Sequence, residues 1–250
     1  MTELIFYIPQ VLKKLAHLEA AIEEALSLKQ SIFITGDLGR DAQVLKTCHL
    51  PNKPKLSTRE GQARLIHDLA SIELQAMELA IRTLYEFVDA PVEFRNELAQ
   101  LAKAEASHLR LCLQTLKNLG FDWGDWPIHT ALWQMVSVKD SLLERVFIVH
   151  RYLEASGLDA GDSILTRLSG VRDKVCLDCV SLIVGEEVGH VEFGSRWFRK
   201  ICELENKNSE IEFRRLYDQI SLRAPRKEKT SARLRRMAGF SESELSYIEF

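Results

Sequence analysis

The chain has no apolar run approaching the roughly 20 residues that a helix needs to cross a bilayer. Its first residues, MTELIFYIPQ, lack a basic segment followed by an apolar one, so no secretory signal is expected. Cysteine is sparse, at five residues with no framework spacing. Cys176 and Cys179 form a single CLDC with no second CxxC, which argues against a tetrahedral thiolate site. Within a helical run they read as small buried apolar residues. Reduced thiols, no signal and no span together point to the cytoplasm. An excess of one charge is also missing: the net charge is -3, so no global attraction to nucleic acid or membrane follows. The glycines of GDLG, 36–39, lack the GxxxxGK[ST] pattern of a phosphate cradle and read as a turn.

What is present is enough apolar material for a sizeable core, 46% of 250 residues, in one large domain or two small ones. It also holds a repeated ligand pattern. LAKAEASHLRL places Glu105 and His108 three residues apart in a helical run. EEVGHV does the same with Glu187 and His190. A helical glutamate precedes each pair: Glu73 by 32 residues and Glu154 by 33. Positions i and i+3 share a helix face, so a carboxylate and an imidazole so placed can point at one ion. Two lone glutamates and two Glu-x-x-His pairs, one set per helix of a four-helix bundle, make a carboxylate-bridged dinuclear site. Such a donor set suits iron or manganese better than a thiolate-preferring metal. The bland alternative is four surface glutamates and two satisfied core histidines.

Periodicity predicts an all-α chain. An N-terminal helical arm and proline linker occupy 1–56, a bundle 57–205, and a C-terminal helix with a basic tail 206–250. Residues 8–30 read as an amphipathic helix with Pro9 in its first turn. SIFIT, 31–35, is either extended or the start of another helix. Bundle helix one follows STRE, 57–60, a capping-box pattern, and runs to about Phe87; helix two runs about 92–119 and ends at Gly120. Helix three starts at SLLE, 141–144, parallel to helix two, so 120–140 must return the length of a helix with Trp123, Trp126 and Trp133 over the flank. That is the long crossover of a ferritin-like bundle. Helix three is expected to end near Gly157. A short helix over 158–170, with turns at Gly161 and Gly170, would then reset the register before helix four, Val171–Glu205. Glu144 is the fallback for Glu154.

Other polar residues carry weaker signals. His150 lies i,i+4 from Glu154 and is either a partner that orients it or a capped surface residue. Glu186, beside the second pair, is either solvated or a neighbour of the ligands. Tyr152 is a candidate hydrogen-bonding or radical site, or core. Glu78 lies five residues beyond Glu73 and well off its face. From Arg196 to Arg236 there are 13 Lys and Arg against 6 Asp and Glu. The bland reading is a tail packed on the bundle by Leu234, Met237 and Phe240; the sharper one is an RNA contact surface.

PNKPKL, EGQARLIHDLASIELQAMELA, LAKAEASHLRL, RYLEASGLD, EEVGHVEFGSRWF and SARLRRMAGF together resemble a ferritin-like bacterial family of unknown function, number 455 among domains of unknown function. The resemblance implies a helical bundle with Glu73, Glu105, His108, Glu154, Glu187 and His190 as ligands of two iron ions, or of manganese. The ligand order is also similar to that of di-iron tRNA hydroxylases. The chain departs from the family pattern in APRKEKT, before the AGF segment, and at Asp68 and Ser71. The expected function is a dinuclear oxidoreductase, an O2-dependent oxygenase or hydroxylase with a small-molecule substrate. A ferroxidase or metal-storage protein without an organic substrate is the alternative, and a metal-stabilised interaction scaffold the third reading.

Overall fold

The computed structural model describes residues 4–171, 173–224 and 229–249. It is all-α: among the described residues the only β feature is an isolated parallel bridge between Val44 and Ile128. The chain divides into two compact units, residues 1–138 and 139–250.

The first unit is built on an antiparallel helix pair, α2 (Arg59–Glu86) and α3 (Val92–Asn118), with α1 (Val11–Ser27) against it. α1 is shorter than 8–30, and Pro9 precedes it instead of occupying its first turn. The amide of Val11 donates to Asp41 Oδ2 at 2.9 Å, so a carboxylate from a later loop serves the helix start. SIFIT is extended, with the Ile32 amide donating to the Tyr85 carbonyl at 2.9 Å. α2 is capped by Thr58, not by the Ser57 of the expected box: Thr58 Oγ1 accepts from the Gly61 amide at 3.1 Å. Gly61 explains the shift. A Cβ there would lie 2.1 Å from the Lys55 carbonyl oxygen, so the proline-rich linker folds tightly onto the first turn. α3 ends as expected, at Gly120 with φ +81°. The amides of Gly120 and Phe121 donate to the carbonyls of Lys117 and Leu116, the paired bonds that close a helix through a left-handed residue.

After Gly120 the chain runs beside α2. The Gly124 amide donates to His67 Nε2, Gln75 bridges the His129 carbonyl and the Leu132 and Trp133 amides, and Trp133 lies over Arg82 at 4.4 Å. From His67 to Arg82 is fifteen residues of helix, about 22 Å at 1.5 Å per residue. Trp123 stacks on His67 at 5.0 Å and Trp126 meets the same ring edge-on at 5.4 Å. The three tryptophans therefore cover the flank of α2 within this unit.

In the second unit the expected break near Gly157 does not exist. α4 (Leu142–Val146), a π-helical segment (Phe147–Glu154) and α5 (Ala155–Leu168) follow one another without interruption. Ser141 and Glu144 form the capping box at the start, which occupies Glu144 and removes it as a substitute for Glu154. α6 (Val175–Leu204) runs antiparallel to this rod; Arg172, inside the range expected for helix four, lies outside the described residues. Gly161 is a point of close approach instead of a turn: a Cβ there would lie 2.4 Å from Val184 Cγ2. Gly194 does the same at the other end, where a Cβ would lie 2.3 Å from the His150 Cβ. No insert is needed to reset the register. Glu154 lies twelve residues past Leu142, and Glu187 twelve past Val175.

α7 (Ser209–Arg223), α8 (Ala232–Met237) and α9 (Glu242–Glu249) complete the unit. Leu234 and Phe240 are buried as expected, but Met237 is 59% exposed. Residues 225–228, which hold most of the APRKEKT departure and part of the basic stretch, lie outside the described residues. The tail is less basic to its surroundings than its composition suggests. Arg235 is buried against Asp159 at 2.7 Å, and Arg236 is paired with Glu242. The buried Cys176 and Cys202 thiols are pushed up to about 12 and about 11 by desolvation, so both stay protonated. Among the described residues no helix is long and apolar enough to cross a membrane.

Candidate metal centre

The α2–α3 pair brings three ligand candidates together near the middle of both helices. His108 Nδ1 lies 3.3 Å from Glu73 Oε2 and 3.6 Å from Glu105 Oε2. All three side chains are buried. In the second unit His190 Nδ1 lies 3.1 Å from Glu187 Oε1, with the two side chains 11% and 14% exposed. The contacts of Gly161 with Val184 and of Gly194 with His150 set the register of α6 on the rod, and Glu154 falls about level with His190 and Val191. One donor atom from each of Glu105, His108, Glu187 and His190 lies within 4.8 Å of the others, a candidate metal-binding group.

Distance separates two kinds of contact here. His150 Nδ1 lies 2.9 Å from both carboxylate oxygens of Glu154, an ordinary N–H···O hydrogen bond in which the imidazole donates. The contacts at 3.3 and 3.6 Å exceed that range. They match donor atoms arranged around a shared ion instead. The chemistry of the donors agrees. Carboxylate oxygen with imidazole nitrogen, and no thiolate, suits a first-row divalent ion of intermediate hardness. Carboxylates this deep are costly in an apolar interior, and a cation at the same place offsets that cost.

The remaining sequence candidates fall elsewhere. Glu186 is on the exposed side of α6. Tyr152 is buried, and its hydroxyl donates to the Ala224 carbonyl, so its polar end is engaged by the segment after α7.

The buried ionic groups around Glu78 and Arg151 were not among the expectations from sequence. Glu78 is enclosed with Lys14, at 2.8 Å, and with Arg40. Burial pulls the Lys14 ammonium below its usual range while Glu78 opposes the shift. The signal was available, since Lys14 falls on the same helical stripe as Val11, Leu15 and Leu18. Arg151 is fully buried and bidentate to Glu244, with both bonds at 2.8 Å. Here too a pattern existed, because Ser241-x-x-Glu244 is a second capping box: each residue's side chain accepts from the other's amide, at 2.8 and 3.1 Å.

Comparison with known proteins supplies a relative and a family but no structural precedent. An "Uncharacterized protein" of Haemophilus influenzae is 28% identical over 205 residues, covering 78% of this chain and 70% of that one. No solved structure matches. The family model described as "Protein of unknown function (DUF455)" matches residues 10–246, which include all six ligand candidates, and the chain belongs to that family.

Proposed function

We propose that Glu73, Glu105, His108, Glu154, Glu187 and His190 hold two divalent ions, iron or in its place manganese. The bundle around them would be ferritin-like, built of α2, α3, the Leu142–Leu168 rod and α6, with 119–141 as its long crossover. In this reading the protein is a dinuclear oxidoreductase, an oxygenase or hydroxylase that uses O2 on a small organic molecule.

The observation that carries the reading is the candidate group itself. Two Glu-x-x-His pairs, 82 residues apart from Glu105 to Glu187, present donor atoms within 4.8 Å of one another. Charge supports two ions over one. Four glutamates carry four negative charges, which two divalent cations balance; a single cation would leave a buried excess of two. The lone glutamates complete the pattern. Glu73 adjoins His108, and Glu154 is held by the His150 N–H at the level of His190. A pair of reduced iron ions would supply electrons for dioxygen reduction. The chain contributes the donor set, its orientation through His150, and burial that limits water around it.

The test is metal analysis of the full chain produced with iron, which should hold close to two ions per chain. A Glu105→Ala/Glu187→Ala double variant should lose most of them; a full load in that variant would sink the assignment. Exposure of the reduced protein to O2 should consume it once per site. Repeated turnover of added Fe2+, with many irons retained per chain, would replace the oxygenase by a ferroxidase or storage protein.

A further inference from the structure

The rod that carries His150 and Glu154 is π-helical over Phe147–Glu154. Such segments are rare, are seldom this long, and occur often at functional sites. A π turn closes i→i+5 bonds, so it holds more residues per turn than the 3.6 of an α-helix. That keeps residues four apart together and throws residues three apart onto different faces. His150 and Glu154 are four apart and bonded to each other. Arg151 and Glu154 are three apart, and in a regular α-helix they would share a face.

Three consecutive residues of this segment are pinned from outside it. The backbone of α6 at Gly194 sits against the His150 Cβ. Arg151 lies among Phe198, Phe213 and Phe240, at 5.1, 4.9 and 4.3 Å from their rings, with its guanidinium bidentate to Glu244. The Tyr152 hydroxyl donates to the Ala224 carbonyl. Two of the three pins come from the C-terminal extension. Glu244 is itself fixed, because its Oε2 also accepts from the Ser241 amide at the start of α9.

We infer that the C-terminal extension is a brace for the metal site, with Glu244, through Arg151, as a positioning residue that holds the π register and so aims Glu154. Arg151 faces the extension only while the segment is π-helical. In the π register Arg151 can point to the extension while Glu154, four residues past His150, stays on the His150 side. This inference rests on the dinuclear reading of the site.

The experiment measures metal binding by the full chain and four variants, titrating Co2+ and recording its visible spectrum alongside stoichiometry and thermal midpoint. The parent should bind two ions, and Glu105→Ala/Glu187→Ala should lose both. Glu244→Gln should weaken one of the two ions by tenfold or more and change the spectrum. Tyr152→Phe, which removes one hydroxyl and nothing from the core, should weaken the same ion severalfold. Arg236→Ala, which breaks the surface pair with Glu242, should change neither. If Glu244→Gln does not fold, Tyr152→Phe decides. A parent without two ions, or a double variant that keeps them, overturns the site and the brace together. Two ions of parental affinity and spectrum in both Glu244→Gln and Tyr152→Phe, even with a lowered thermal midpoint, overturn the brace alone.

Discussion

Gly161 and Gly157 are both inside α5, four residues apart, and alanine should move stability in opposite directions at the two positions. At Gly157 an added Cβ meets nothing within 4 Å. Alanine is favoured over glycine in a helix interior by about 0.8–1.0 kcal/mol, so Gly157→Ala should stabilise by roughly that amount. At Gly161 the same preference competes with a Cβ placed 2.4 Å from Val184 Cγ2. Val184 sits in α6, where a β-branched side chain has essentially one χ1 rotamer and cannot swing aside freely. Overpacking of this kind costs about 1–3 kcal/mol, and so short a contact belongs toward the upper end. Gly161→Ala should therefore destabilise by about 1–2 kcal/mol net, and the two variants should differ by about 2–3 kcal/mol. The assay is urea unfolding of the chelator-treated chain followed by circular dichroism, since bound metal would add its own stabilisation. Adding Val184→Ala removes the obstructing methyls, so the double variant should recover about 1–2 kcal/mol beyond additivity. A Gly161→Ala protein as stable as Gly157→Ala, or no coupling with Val184, would refute the close packing of rod on α6 and restore the turn that composition suggested.

The two arginine pairs of the tail should separate just as clearly. Arg235→Ala removes the cation paired with the buried Asp159 carboxylate, which also accepts from the Ser231 amide, and should cost about 3–5 kcal/mol, whereas Arg236→Ala at the exposed pair should cost far less; equal midpoints in urea would count against the burial of Arg235. His67 offers a pH signature. Desolvation holds it down to about 4, with Asp68 and Asp125 pulling it up and Arg64 pushing it down. The unfolded imidazole takes up its proton near 6.5, so stability from this residue is fully present above that pH and is lost as pH falls from about 6.5 through about 4, on the order of 3 kcal/mol in all. His67→Phe should flatten that slope, and a His67 ring titrating near 6.5 by NMR would contradict its burial under Trp123 and Trp126. Ser141→Ala, which opens the capping box of the rod, should cost about 0.5–2 kcal/mol by the same urea assay, and no change would mean that the cap contributes nothing there.

The sequence alone determined the helical class, the α2 and α3 spans to within a residue or two, the Gly120 stop and the Ser141 start. It did so because period, caps and left-handed glycines are local physics, written in residues that are neighbours in the chain. The repeat of Glu-x-x-His at matched distances was legible for the same reason, since i,i+3 spacing fixes a shared helix face before any packing occurs. Only tertiary structure decided the rest. Gly157 and Gly161 look alike in sequence, yet one meets open space and the other meets Val184, and that difference exists only where α6 arrives. The same contact turned an expected helix end into a helix interior and placed Glu154 at mid-rod. Ser57 lost the cap to Thr58 because the linker packs onto Gly61. The π register has no local signature either: in the reading proposed here it is held by Arg151 reaching Glu244, 93 residues away in the chain. A long-range ion pair buried among aromatic rings can select a rare backbone form because leaving that charge unmatched costs more than distorting the helix.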